Sequence, residues 1–119
     1  MSLSTSRVFP LTILSGQVNS NVLKANEAYE DALFLVLYAP AALDAFTFTI
    51  EVTHNPDAAA PVFVTLQQGT TPADAVAPAA AKARAYGELP GCAGFRIHSS
   101  AAVAADRIWQ VTKSYRGMY

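Results

Sequence analysis

Residues 45–53, Ala-Phe-Thr-Phe-Thr-Ile-Glu-Val-Thr, alternate strictly between apolar and polar side chains. Phe46, Phe48, Ile50 and Val52 fall on one side of an extended chain; Thr47, Thr49, Glu51 and Thr53 fall on the other. Successive side chains of a strand point to opposite faces, so this pattern marks a strand with one face in a core and one in water. Its β-branched and aromatic residues suit a pleated surface. Asn55-Pro56-Asp57 then makes a turn signal, and residues 62–67 return with Val62, Val64 and Leu66 inward. The two runs predict an antiparallel hairpin over 45–67, with Gly69 at its exit.

Outward from this hairpin, further strand signals recur at the spacing of an all-β domain. Residues 7–14 place Phe9, Leu11 and Ile13 on one face, before a turn at Ser15-Gly16. The more polar stretch 17–25 reads as an edge strand, and 26–31 as a polar connection. Residues 33–39, Leu-Phe-Leu-Val-Leu-Tyr-Ala, do not alternate, so both faces of that strand must be covered, and Pro40 ends it. Residues 71–86 mix alanine, Lys82 and Arg84 with Pro72 and Pro78; a helix there is limited to a turn or two, and a strand over 81–86 with outward basic residues is the preferred reading. Glycines and a proline make 87–94 a tight loop. Strands at 95–99 and 107–115 close the chain; in the latter Trp109, Val111 and Tyr115 share a face with Arg107 and Lys113.

The expected fold is therefore all-β, a single antiparallel β-sandwich, with jelly-roll-like and immunoglobulin-like strand orders both open. A chain of 119 residues has room for one core. It divides into a flexible N-terminal arm (1–6), the sandwich (7–115) and a C-terminal tail (116–119). The longest apolar run spans 11 residues, 33–43, and contains Pro40. A membrane span needs roughly 20, so no membrane partner is expected. Net charge is −1 with scattered basic residues, which sets no field for steering nucleic acid. Cys92 stands alone and can form no internal disulfide.

Catalytic constellations fail on spacing or facing. Nucleophilic hydrolysis needs Ser or Cys beside His, and the candidates are Ser99, Ser100 or Cys92 with His98 or His54. On a strand His98 and Ser99 point to opposite faces. There is no C-x-x-C and no H-E-x-x-H for zinc, and Asn55-Pro56-Asp57 reads as a turn before it reads as a calcium loop. No catalytic residue, metal or cofactor is expected. Trp109 reads as core before it reads as a sugar platform. The tail's Tyr115, Met118 and Tyr119 are residue types enriched at interfaces. Together with Phe9 and Leu33, Phe34, Leu35, Val36, Leu37 and Tyr38, they form the candidate interface set.

Two stretches, residues 43–67 and 94–115, cover roughly half the chain and carry a resemblance. The hairpin TFTIEVTHNPDAAAPVFVTLQQG and the segment FRIHSSAAVAADRIWQVTKSY are similar to small structural proteins of tailed bacteriophages, in particular capsid decoration or cement proteins. The first 40 residues fall outside the match. The resemblance implies a β-sandwich that sits on the head surface as a homodimer or homotrimer, bound to the major capsid protein shell. It implies a virion protein made in the host cytoplasm, and it carries over no catalytic residue. A place in the tail or baseplate, and a carbohydrate-binding or adhesion module, are the rival readings.

Overall fold

The computed structural model describes residues 8–68 and 73–115. Among them run the strands β1 (Phe9–Ile13), β2 (Leu23–Lys24), β3 (Ala32–Tyr38), β4 (Phe48–Thr53), β5 (Val64–Thr65), β6 (Gln67–Gln68), β7 (Ala73–Asp74), β8 (Ala83–Tyr86), β9 (Gly94–Ser99) and β10 (Arg107–Tyr115). One sheet has the order β1-β10-β3-β8 and a second the order β2-β9-β4-β5; β6 and β7 make a small separate ribbon. Every pairing is antiparallel.

With the ribbon set aside, the first of eight strands pairs with the last, the second with the seventh, the third with the sixth and the fourth with the fifth. This nesting is one long hairpin folded over on itself, the connectivity of a jelly roll. It decides between the two strand orders left open by the sequence. Expectations for the strands at 7–14, 33–39, 45–53, 95–99 and 107–115 are met to within a residue or three. The stretch 17–25 supplies β2 at a sheet edge, preceded by an isolated bridge from Asn19 to His98.

The core lies between the sheets. Leu11, Ile13, Leu35, Leu37, Tyr86, Trp109 and Val111 enter from the first sheet, and Phe48, Ile50, Phe95 and Ile97 from the second. Phe48 and Trp109 meet across the gap with ring centroids 5.2 Å apart and planes tilted by 58°.

Four expectations need correction. The connection 26–31 is not merely polar: Ala25–Tyr29 forms a π-helical turn that buries Ala28 and Tyr29, with the Tyr29 ring edge-on to Phe95 and its hydroxyl donating to the Cys92 carbonyl at 2.7 Å. Val62 and Val64 are each 59% exposed, because β5 pairs with β4 for only two residues and overhangs the first sheet's cover. Phe46 precedes the strand and is exposed. Arg84 lies on the core side of β8, opposite Leu37, since Tyr86 fixes that parity by burial; its charge reaches water at the rim. The N-terminal arm (1–6) and the tail (116–119) lie outside the described residues.

Two backbone positions make opposite demands. Ala81 has φ 60, in the left-handed region, where Lys82 donates to the Ala79 carbonyl to close a turn into β8. A side chain there costs about 1 kcal/mol relative to glycine. At Gly94 an added Cβ would lie 3.0 Å from Pro56 Cβ and 3.3 Å from Thr53 Cγ2, neither of which is the tip of a flexible chain. Ala81→Gly should therefore raise the melting temperature by a few degrees, against the usual effect of glycine. Gly94→Ala should lower stability by about 1–3 kcal/mol through overpacking. Calorimetry of the two variants checks both signs, and a lower melting temperature for Ala81→Gly refutes the strain at that turn.

Candidate functional site

The outer face of the first sheet follows from its register. One row runs Pro10–Gln110–Tyr38–Ala83 across all four strands, and the next runs Thr112–Val36–Ala85. Thr12 pairs with Ile108 at one end, and Ser114 with Phe34 at the other. None of these side chains is charged. The charged residues of the sheet's strands, Arg84, Arg107 and Lys113, all take the core-side parity. Along β10 the alternation is direct: Arg107, Trp109, Val111 and Lys113 point inward, and Ile108, Gln110, Thr112 and Ser114 outward.

At the rim these inward charges are occupied. Arg107 Nε donates to Asp44 Oδ1 at 2.7 Å, Lys113 Nζ meets Asp31 at 3.0 Å, and the Arg84 guanidinium sits 5.7 Å from the centre of the Tyr86 ring. Asp44 also accepts from the Ala104 N–H at 3.0 Å, which ties the β3–β4 connection to the approach of β10. The Arg107 hydrogen bond, then the Ala104 N–H, hold the Asp44 carboxyl below the usual carboxylate range. The Tyr86 phenol, buried and donating to the Val76 carbonyl, is pushed up to about 12 by desolvation and stays neutral.

The second sheet's outer face is different in kind. Glu51 and Arg96 are cross-strand partners and form an ion pair at 2.8 Å, with the Arg96 guanidinium 3.7 Å above the Phe63 ring. His98 Nδ1 lies 2.7 Å from Asn19 Oδ1 and 3.9 Å from Glu51 Oε2. One sheet thus offers water a charged, internally paired surface, and the other an uncharged one.

The candidate interface residues separate accordingly. Phe34, Val36 and Tyr38 lie on the uncharged face, Tyr38 being 43% exposed. Leu33 is the residue skipped where the register shifts opposite Ser114 and Tyr115, and is 51% exposed. Leu35 and Leu37 are fully buried in the chain's own core and are unavailable to a partner. Phe9 faces inward and packs against that core. Tyr115 pairs with Ala32 as the last residue of β10, while Met118 and Tyr119 lie outside the described residues. Sequence reading missed Ile108 and Pro10; the alternation along 107–115 was the signal that could have found Ile108.

The residues weighed for chemistry are dispersed. Ser99 is buried and bonds to the Ala101 carbonyl, on the face opposite His98. His54 and Cys92 border one open groove of about 390 Å³, but the Cys92 thiol points to the Glu88 carbonyl at 3.6 Å, and burial pushes its pKa up, which disfavours the thiolate. Asn55 Oδ1 accepts from Thr53 and from the Val62 N–H, and Asp57 Oδ1 is paired with Lys24 at 2.7 Å, so these two side-chain oxygens of the 55–57 loop are engaged within the chain. Among the described residues no group of three or more His, Cys, Asp and Glu is placed to hold a metal ion. Trp109 is fully buried and offers no face to a sugar. Compared with protein-family models, curated proteins and solved structures, the chain matches none.

The depressed Asp44 pKa has a pH consequence. A carboxyl whose folded pKa lies below its unfolded value, about 3.9, contributes stability above that value and loses it as pH falls through the folded pKa. The urea midpoint of the native chain should therefore fall as pH drops below about 4, and Asp44→Asn should lie lower at pH 7 with a flatter acid limb. Equal acid slopes for the two proteins would show that the Arg107–Asp44 contact is not linked to folding.

Proposed function

We propose that the chain is a virion structural protein that docks through the uncharged outer face of its first sheet, binding the outside of a tailed-phage head as a homo-oligomer and reinforcing the shell. One observation carries the docking part: a four-stranded face that exposes Tyr38 and Ile108 and bears no charge on its strands. Charged groups are depleted from the cores of protein interfaces because their desolvation is costly, and aromatic residues are enriched there. The partner class rests on the resemblance of residues 43–67 and 94–115 to decoration proteins. The jelly-roll order is compatible with it, since viral capsid domains use that fold; lectins and cupins use it too, so fold alone does not select the role.

Attachment by such a protein is multivalent. Each oligomer engages several shell subunits at once, and weak individual contacts add through effective concentration. Removal of the protein leaves a head that assembles but withstands less heat or internal pressure.

Co-sedimentation tests the reading. With undecorated heads of the phage whose genome encodes the chain, the native protein at micromolar concentration should pellet with the shells. Ile108→Asp, which puts a carboxylate on the uncharged face, should weaken retention at least tenfold, and Thr65→Asp on the opposite sheet should leave it unchanged. Folded native protein that stays in the supernatant overturns the proposal.

A further inference from the structure

A jelly roll leaves four strand edges, and this chain treats them unequally. At β1 the Thr12 N–H donates to Asn21 Oδ1 at 2.7 Å, and Asn21 Nδ2 donates to the Pro10 carbonyl at 3.1 Å. The Asn21 amide stands in for a neighbouring strand and closes that edge, while Pro10 has no N–H to offer. At the edges of the second sheet, β2 and β5 are two residues long. Short edges are a common protection against strand addition.

β8 has no such protection. It is four residues long, contains no proline, and pairs only with β3. The Ala39 N–H donates to the Lys82 carbonyl, which sets the alternation: Lys82, Arg84 and Tyr86 turn their backbone groups to β3, while Ala83 and Ala85 turn theirs outward. Among the described residues nothing bonds to these outward groups. Their side chains are methyl groups on the uncharged face, small enough to admit a second strand beside them.

We infer that β8 is the chain's self-association edge, and that two copies join there by antiparallel β8–β8 pairing about a two-fold axis through Ala85. Charge selects the register. Axes through Ala83, Arg84 and Ala85 all satisfy the outward alternation within the strand. An axis through Ala83 sets Lys82 opposite the Arg84 of the second copy, two like charges, which is unfavourable. An axis through Arg84 sets Arg84 opposite the Arg84 of the second copy, two like charges face to face, which is unfavourable. An axis through Ala85 pairs Ala83 with Gly87 of the second copy and places Arg84 opposite Tyr86. It also brings Lys82 towards Glu88 of the second copy, twice over; Glu88 lies just past the end of β8, where its Oε1 accepts from Gln68 Nε2 at 2.9 Å and its carboxylate offers an unlike charge. Gly87 has open space around the position of a Cβ and does not obstruct the approach. A two-fold interface of this kind is self-complementary, as closed dimers require.

The pairing deepens the docking proposal and rests on it only for its purpose. Two copies joined at β8 form one eight-stranded sheet whose uncharged faces are continuous. A face four strands wide at about 4.8 Å spacing and about five residues long covers on the order of 350 Å² in plan. Doubling it approaches the roughly 800 Å² per partner of a stable specific interface.

Sedimentation velocity on the full chain tests the edge without any shell. The native protein should dimerise at tens of micromolar, and Ala85→Lys, which sets two ammonium groups at the axis, should weaken the dimer at least tenfold with an unchanged circular dichroism spectrum and melting temperature when dilute. Lys82→Glu and Glu88→Lys should each weaken it, and the double exchange should restore it. A native protein that stays monomeric at 200 µM (about tenfold above an ordinary weak dimer's range), or a dimer indifferent to Ala85→Lys, overturns the edge. Singles that weaken without rescue by the double overturn the register. Because these readings need no capsid, they stand or fall separately from co-sedimentation.

Discussion

The contact of Phe48 with Trp109 is where the two sheets become one domain. Trp109 lies on the central strand β10, which pairs on one side with β1 and on the other with β3, and its ring reaches across to β4 of the opposite sheet. Burying a ring of this size contributes more apolar area than any other single side chain in the core. Its Nε1 is buried without a hydrogen-bond partner among the described residues, which costs on the order of 1–3 kcal/mol. Packing therefore outweighs hydrogen bonding at the centre of the molecule. The inward parity of Trp109 also fixes everything else on β10, because a strand offers no way to turn one side chain without turning its neighbours.

That constraint sends Arg107 and Lys113 to the core side and leaves Ile108, Gln110, Thr112 and Ser114 outside. The inward charges lie near the two ends of a nine-residue strand, where Asp44 and Asp31 can meet them at the rim. A charge at the middle of the inward row would be buried and unpaired, at a cost of several kcal/mol. The uncharged outer face and the ion-paired rim are thus two results of one alternation.

Much of this was legible in the sequence. The alternation over 45–53 and 107–115 gave the right strands, and for β10 the right faces, because period-2 patterning reports directly which side meets the core. Strand order was not legible: pairing is a matter of contacts between distant segments, such as Phe9 with Val111, that leave no local trace. Tyr29 was missed because a single π-helical turn is too short to set up a periodicity, and its polar neighbours Asn26, Glu27, Glu30 and Asp31 hid the aromatic that anchors it. Val62 and Val64 were placed inward because their parity is inward; that β5 overhangs its cover depends on the extent of the other sheet. The run 33–39 was read as covered on both faces. Leu35 and Leu37 are covered, and the opposite side, Phe34, Val36 and Tyr38, is the candidate site itself. The departure from simple alternation marked the surface that a partner is proposed to cover.

An antiparallel sheet with one face in water ordinarily carries charge on that face, as the second sheet does with Glu51, Arg96 and His98. The first sheet meets water instead with threonine, serine, glutamine, alanine and proline around Tyr38, Val36 and Ile108. This composition answers two requirements that pull in opposite directions. For the proposed docking, the face must be hydrated while the chain is free and dehydrated at low cost when covered. Hydroxyl and amide groups satisfy both, since each can exchange a water for a partner's hydrogen bond, whereas a carboxylate or ammonium must be matched by an opposite charge at a fixed place. The proposed partner, a repetitive shell, would offer the same surface many times over, and a face that tolerates small differences of registry suits such a partner better than one that depends on a few fixed ion pairs. Charge is used where position matters, at the rim, where it holds Asp44 to Arg107.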